Sequence, residues 1–162
     1  MERRWNWGDF AYGPASVPVG CYSILLARLQ GEQPGANASF PETREQLNEK
    51  VQKLHGNAQL LSQLAVVDSL FNNKDAAISE AKRAVEMLPI SKDAIDGLHI
   101  VMNLAVVYAW TNEFDLAFET LSPLIKMPFG IFYGQLKREP YWEPLRKDPR
   151  FDKLLAELTP KD

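Results

Sequence analysis

At 162 residues, 46% hydrophobic and 24% charged, the chain suits one folded domain, which at this size buries roughly 70% of its unfolded surface. A net charge of −3, from 21 acidic and 18 basic side chains mixed along the sequence, lacks the one-sided basic excess of a nucleic-acid binder. The most apolar run, Ile100 to Trp110, is broken by Asn103 and is too short for the ~20 residues that cross a bilayer, so no membrane insertion is expected and the chain reads as cytoplasmic.

Residues 1–18 hold Trp5, Trp7, Phe10 and Tyr12 among Gly8, Gly13, Pro14 and Pro18. Glycine and proline interrupt regular structure. The aromatics favour either a tail folded over the first helix or a surface cut from a neighbouring domain. The lone cysteine, Cys21, permits no internal disulfide. It follows Pro18-Val19-Gly20, but the preceding residues lack the apolar core of a leader, so it reads as a small buried hydrophobe.

From Val19 the period is helical. Ile24, Leu25, Ala27 and Leu29 form a short helix closed by Gly31 and Pro34. Ser39-Phe40-Pro41-Glu42 has the pattern of a capping box and starts a helix through Leu47, Val51 and Leu54, stopped at His55-Gly56-Asn57. Leu60, Leu61, Leu64, Val67, Leu70 and Phe71 make an i, i+3/i+4 stripe. After a turn at Asn72-Asn73-Lys74, a second stripe runs through Ala77, Ile78, Ala81, Ala84, Val85 and Leu88 to Pro89. The arrangement recurs: Leu98, Val101, Leu104, Ala105 and Tyr108, a turn at Thr111-Asn112-Glu113, then Leu116, Ala117, Leu121, Leu124 and Ile125. No alternating run long enough for a strand is present, so the class is all-α.

Leu64-Ala65 aligns with Leu104-Ala105, and the following small or apolar positions align as Ala77 with Ala117, Ala81 with Leu121 and Ala84 with Leu124. This order of small and large residues resembles the tetratricopeptide repeat, a helix–turn–helix unit that ends in proline, here Pro89 and Pro128. The expected aromatic is Tyr108 in one unit and Asp68 in the other. Ile90 to Ile95 accounts for the extra length between the units. Tyr141-Trp142-Glu143-Pro144-Leu145-Arg146-Lys147-Asp148-Pro149-Arg150-Phe151 resembles the ending of repeat modules at the C-termini of large bacterial signalling and regulatory proteins. Asp148 and Pro149 suit a helix start, and Phe151, Leu154, Leu155 and Leu158 supply an apolar face.

The resemblance implies stacked antiparallel hairpins in a right-handed solenoid of about three units. It divides the chain into an aromatic tail at 1–18, a degenerate repeat at 19–56, repeats at 57–89 and 90–130 (the latter with a lengthened lead-in) and a cap at 131–162. It further implies a concave groove lined by Gln59, Ser62, Gln63, Val66, Ser69 and Leu70 from one unit, and His99, Met102, Asn103, Val106, Ala109 and Trp110 from the next. Some family members clamp a C-terminal carboxylate with groove lysines and arginines. Ser62 and Met102 stand at such positions, so that ligand is not expected. Met102, Val106 and Trp110, flanked by Asn103 and Gln63, instead suit an amphipathic helix or an extended peptide. Met102 and Trp110 equally suit core positions against the tail or the cap.

Nothing in the sequence points to catalysis. His55 and His99 have no Cys, Asp or Glu at metal-ligand spacing, and no phosphate loop, nucleophile elbow or zinc pair appears. Carboxylates pair with bases at helical spacing, as Glu80 with Arg83 and Glu49 with Lys53. The stretch from Lys137 to Lys153 mixes both signs and reads as solvated surface. The expectation is a scaffold or adaptor, not an enzyme, with no cofactor or metal, that binds a protein or peptide. The alternative is a structural or dimerisation module of a larger regulatory protein, with a homodimer as one form.

Overall fold

The computed structural model describes residues 20–31 and 39–159; the aromatic tail and the Cys21 side chain lie outside its described part. The described residues form helices joined by turns, without a strand. In chain order these are α1 (Gly20–Leu29), α2 (Ser39–Lys53), α3 (Ala58–Leu70), α4 (Lys74–Met87), α5 (Asp96–Trp110), α6 (Phe114–Leu124), α7 (Tyr133–Arg138), a 3₁₀ segment (Pro140–Leu145) and α8 (Pro149–Leu158). None is long and apolar enough to cross a membrane.

The ends of these helices follow from short polar residues. Gly31 and Gly56 adopt positive φ after α1 and α2, where a left-handed residue lets the last carbonyls find partners. Asn57, expected to close α2, instead caps α3: its Oδ1 accepts from the Leu60 N–H at 3.0 Å, which satisfies one of the orphan donors of a helix start. Asn72 and Asn112 both take φ near +60° (64° and 62°). The next N–H groups, of Asn73 and Glu113, donate back to the carbonyls of Asp68 and Tyr108, each at 2.9 Å. The same backbone turn thus recurs at the same spacing as the alanines.

Packing follows the small residues. Ala65, Ala77, Ala81, Ala84, Ala105 and Ala117 are all inaccessible to solvent, as is Leu121, while Leu124 is 1% exposed. With no side chain beyond Cβ, an alanine lets two helix backbones approach closely. Helix α3 packs on α4, α5 on α6, and α3 and α4 both pack on α5. Helices α1 and α2 lie against α3, and the Pro140–Leu145 segment lies against α5. Residues 88–95 form the turn that leads into α5, not an extension of it. Gly97 is required there, because a Cβ would stand 2.8 Å from the Ile90 nitrogen.

Replacing Ala65 or Ala105 by leucine should lower stability by ~1–3 kcal/mol, since overpacking a filled core forces backbone shifts. Urea denaturation checks it: unchanged midpoints for both variants would show that these crossings tolerate bulk.

The C-terminal residues are built as their sequence suggests. Asp148 caps α8, accepting from the Arg150 N–H at 2.9 Å, with Pro149 in the first turn where a missing N–H is harmless. Phe151 and Leu154 are buried, and Leu155 and Leu158 pack partly buried on the same core. Arg150 ties this start to α6: it bonds Asp148 at 2.7 Å and Asp115 at 2.6 Å, and its guanidinium lies 4.3 Å from the Phe118 ring centroid. The Arg150 side chain, then its backbone N–H, holds the Asp148 carboxyl down to about 2. Within the mixed-charge stretch the lysines are exposed, but Tyr141, Trp142, Leu145 and Phe151 belong to the core.

Candidate functional site

Helices α3 and α5 lie side by side and carry the groove positions inferred from the repeat. The structure buries most of these positions. Ser62, Val66, Ser69, Leu70, Met102, Asn103, Val106 and Ala109 are at most 2% exposed, so they are core residues and not the lining of an open groove. The physical reason is coverage. Helices α3 and α5 pack on each other, α1 and α2 lie against α3, and the Pro140–Leu145 segment lies against α5.

Three bonds join buried polar members within this set, while Asn103 Oδ1 is buried with no donor among the described residues. Ser62 Oγ donates to the Gln59 carbonyl at 2.8 Å and accepts from Asn103 Nδ2 at 2.9 Å, a direct bond between α3 and α5. Ser69 Oγ donates to the Val66 carbonyl at 2.7 Å. Trp110 is partly buried: its Nε1 donates to the Tyr141 carbonyl at 2.9 Å, and the Arg28 guanidinium of α1 sits 5.8 Å from its ring centroid. Arg28 is fixed in turn by Asn72 Oδ1 at 2.9 Å. Trp110 is therefore the meeting point of α1, α5 and the C-terminal segment.

Gln59, Gln63 and His99 remain accessible, in two different clefts. Gln59 and Gln63 join Leu47, Lys50, Leu54, Asn57 and Leu60 around a cleft of about 390 Å³ between α2 and α3. His99 joins Ile95, Leu98 and Phe129 around a cleft of about 270 Å³ at the start of α5.

Two residues of the second cleft outside the inferred groove are strongly exposed, Phe129 at 90% and Ile95 at 65%. Local chemistry holds both at the surface. Asp93 Oδ1 accepts from the backbone N–H groups of Asp96 at 2.8 Å and Ile95 at 2.9 Å, which fixes the start of α5. Those two N–H groups, Asp96 first, hold the Asp93 carboxyl below the usual carboxylate range. Phe129 takes φ +62°, an uncommon conformation for a bulky residue. The next residue is Gly130, where a Cβ would run into the Leu124 carbonyl. The signal in the sequence was the Pro128-Phe129-Gly130 step, an aromatic between two chain-turning residues.

Glu80 departs from the expected surface pairing. It does not pair with Arg83 on a solvated face; it is half-buried and turned toward Asp68. The Glu49–Lys53 pair does form, at 3.1 Å on the surface.

No protein-family profile matches the chain, and no curated protein or solved structure matches it at a significant level.

Proposed function

We propose that this chain is a protein-binding scaffold or adaptor of the tetratricopeptide type, a right-handed solenoid of about three hairpins with a C-terminal cap, and that it is not an enzyme. The recurring asparagine turns and the buried alanines at the same spacing support the repeat architecture. The observation that carries the binding function is the pair of exposed apolar side chains, Phe129 and Ile95, that line the His99 cleft. Grouped apolar side chains in water mark surfaces that another molecule covers. An aromatic held rigidly outward is the kind of anchor that dominates binding energy. The site therefore sits at the start of α5 and the segment before α7, with a peptide or helix as the ligand, and not in the covered centre between α3 and α5.

A peptide selected on the wild-type chain from a displayed library tests this. Ile95→Ala with Phe129→Ala should weaken its binding by about 2 kcal/mol, near 30-fold, without loss of helix signal, since both side chains are already exposed. Lys82→Ala with Glu86→Ala, exposed on α4, should bind as wild type. Binding that survives the first pair and disappears in Leu54→Asp would move the site to the α2–α3 cleft. The same apolar pair also supports the dimerisation reading. Light scattering separates the two, because a dimer that dissociates in the Phe129 variant assigns the pair to a second copy.

A further inference from the structure

Asp68 stands within the apolar stretch of α3, and its carboxylate has no exposure to solvent. It is answered from three sides. Arg44 of α2 grips it with two nitrogens, Nε on Oδ1 and Nη2 on Oδ2, the latter at 3.0 Å. Asn73, in the turn after α3, donates from Nδ2 to Oδ1 at 2.8 Å. From α4, Glu80 comes within hydrogen-bonding reach, with its Oε2 buried and no donor for it among the described residues. Two carboxylates and one guanidinium thus meet where α2, α3 and α4 join.

An ionised carboxylate only accepts hydrogen bonds. Two of them in contact are stable when one retains a proton and donates it to the other. We propose that Asp68 and Glu80 hold one proton between them, and that its loss releases the junction of α2 with the α3–α4 hairpin. With the proton present, Glu80 donates to Asp68 and Asp68 accepts from Arg44 and Asn73. Once it leaves, two like charges share a single guanidinium. Glu80 is only half-buried, so it turns toward water and gives up its contact with Asp68 and its place beside Arg44 of α2. Helix α2 is also one wall of the cleft that holds Gln59 and Gln63, so the release alters that cleft whether or not a partner uses it.

The electrostatics agree with the geometry. Burial pushes Glu80 from the usual 4.5 up to about 7; the Asp68 charge and hydrogen bond add to this, and Arg44 opposes it. Glu45 acts on Arg44 from the same helix. Among the described residues no charge of α5, the other helix packed on α4, acts on Glu80. The folded chain holds this proton more tightly than the unfolded one. Its contribution is complete below the ordinary glutamate range, declines as pH rises from about 4.5 to about 7, and is absent above.

Carbon-detected NMR of the glutamate carboxyls in the full chain tests the shared proton. Glu80 should titrate with a midpoint near 7, and Asp68→Asn should return it toward 4.5. A wild-type midpoint in the ordinary range overturns the proposal. Amide exchange, corrected for its intrinsic pH dependence, tests the release. Protection across 41–53 in α2 should fall several-fold between pH 5.5 and pH 8. Glu80→Gln, whose amide can donate to Asp68 at any pH, should remove this dependence, and Arg83→Gln should keep it. A flat wild-type profile, or a pH dependence that persists in Glu80→Gln, overturns the release. If Glu80→Gln fails to fold, the wild-type carboxyl midpoint and the α2 exchange profile still decide.

Discussion

Removal of residues 149–162 should leave a chain that unfolds at much lower urea concentration, with a loss on the order of 5 kcal/mol. The deletion takes away Phe151 and Leu154, both buried, and the partly buried Leu155 and Leu158. It also uncovers the α6 and α7 surfaces on which α8 packs. At roughly 25 cal/mol per Å² of apolar area, a few hundred Å² already amounts to several kcal/mol. The truncation also cuts Arg150 out of its contacts with Asp115 and the Phe118 ring. Since domains of this kind are stable by about 5–15 kcal/mol in all, the shortened chain is expected at the edge of folding. Circular dichroism against urea measures this. A midpoint equal to that of the full chain would mean that α8 is an appendage and that the core closes without it.

Helices and turns were legible in the sequence because their determinants are local. Asn72 and Asn112 announce left-handed turns, Ala65 and Ala105 announce close crossings, and Asp148-Pro149 announces a helix start. The turns and the helix start lie where the residues suggest, and both alanines are fully buried. What covers a helix face is not local. The spacing that groups Ser62, Val66, Met102 and Val106 on one side of α3 and α5 is correct as periodicity. It carries no information about α1, α2 or the Pro140–Leu145 segment that shields that side. An apolar stripe reads the same whether it lines a groove or fills a core.

The surroundings of Glu80 are non-local in the same way. Its spacing to Arg83 gives an ordinary surface pair, whereas its environment is set by Asp68 and Arg44. Arg44 lies 24 residues from Asp68 along the chain. Conversely, Asp68 looked like a defect in the repeat because an aromatic was expected there. In place of a ring it presents a buried carboxylate that reaches the preceding helix, and the small Ala81 nearby in sequence to Glu80 is fully buried. A residue that departs from the expected pattern can thus mark a site where a different interaction joins the helices.

Trp142→Ala is expected to cost ~3–5 kcal/mol, the range for truncating a buried large aromatic. Trp142 heads the fully buried side chains by size, and the segment that carries it lies against α5. Its neighbour Tyr141 is held by the Trp110 indole through the backbone carbonyl. A void here would loosen the cover over α5 and the anchorage of Trp110 together. In a chain of this length each kcal/mol moves the melting temperature by roughly 2–4 °C, so a drop of about 6–20 °C should be visible by calorimetry. Trp142→Phe separates volume from hydrogen bonding. The indole Nε1 is buried with no acceptor among the described residues, so the smaller ring sacrifices little polar satisfaction and should cost roughly 1–2 kcal/mol, mainly through its residual cavity. Equal losses for the two variants would show that the indole edge, not the bulk, is what the core needs. A Trp142→Ala chain that melts with the wild type would show that the Pro140–Leu145 segment does not close the face of α5.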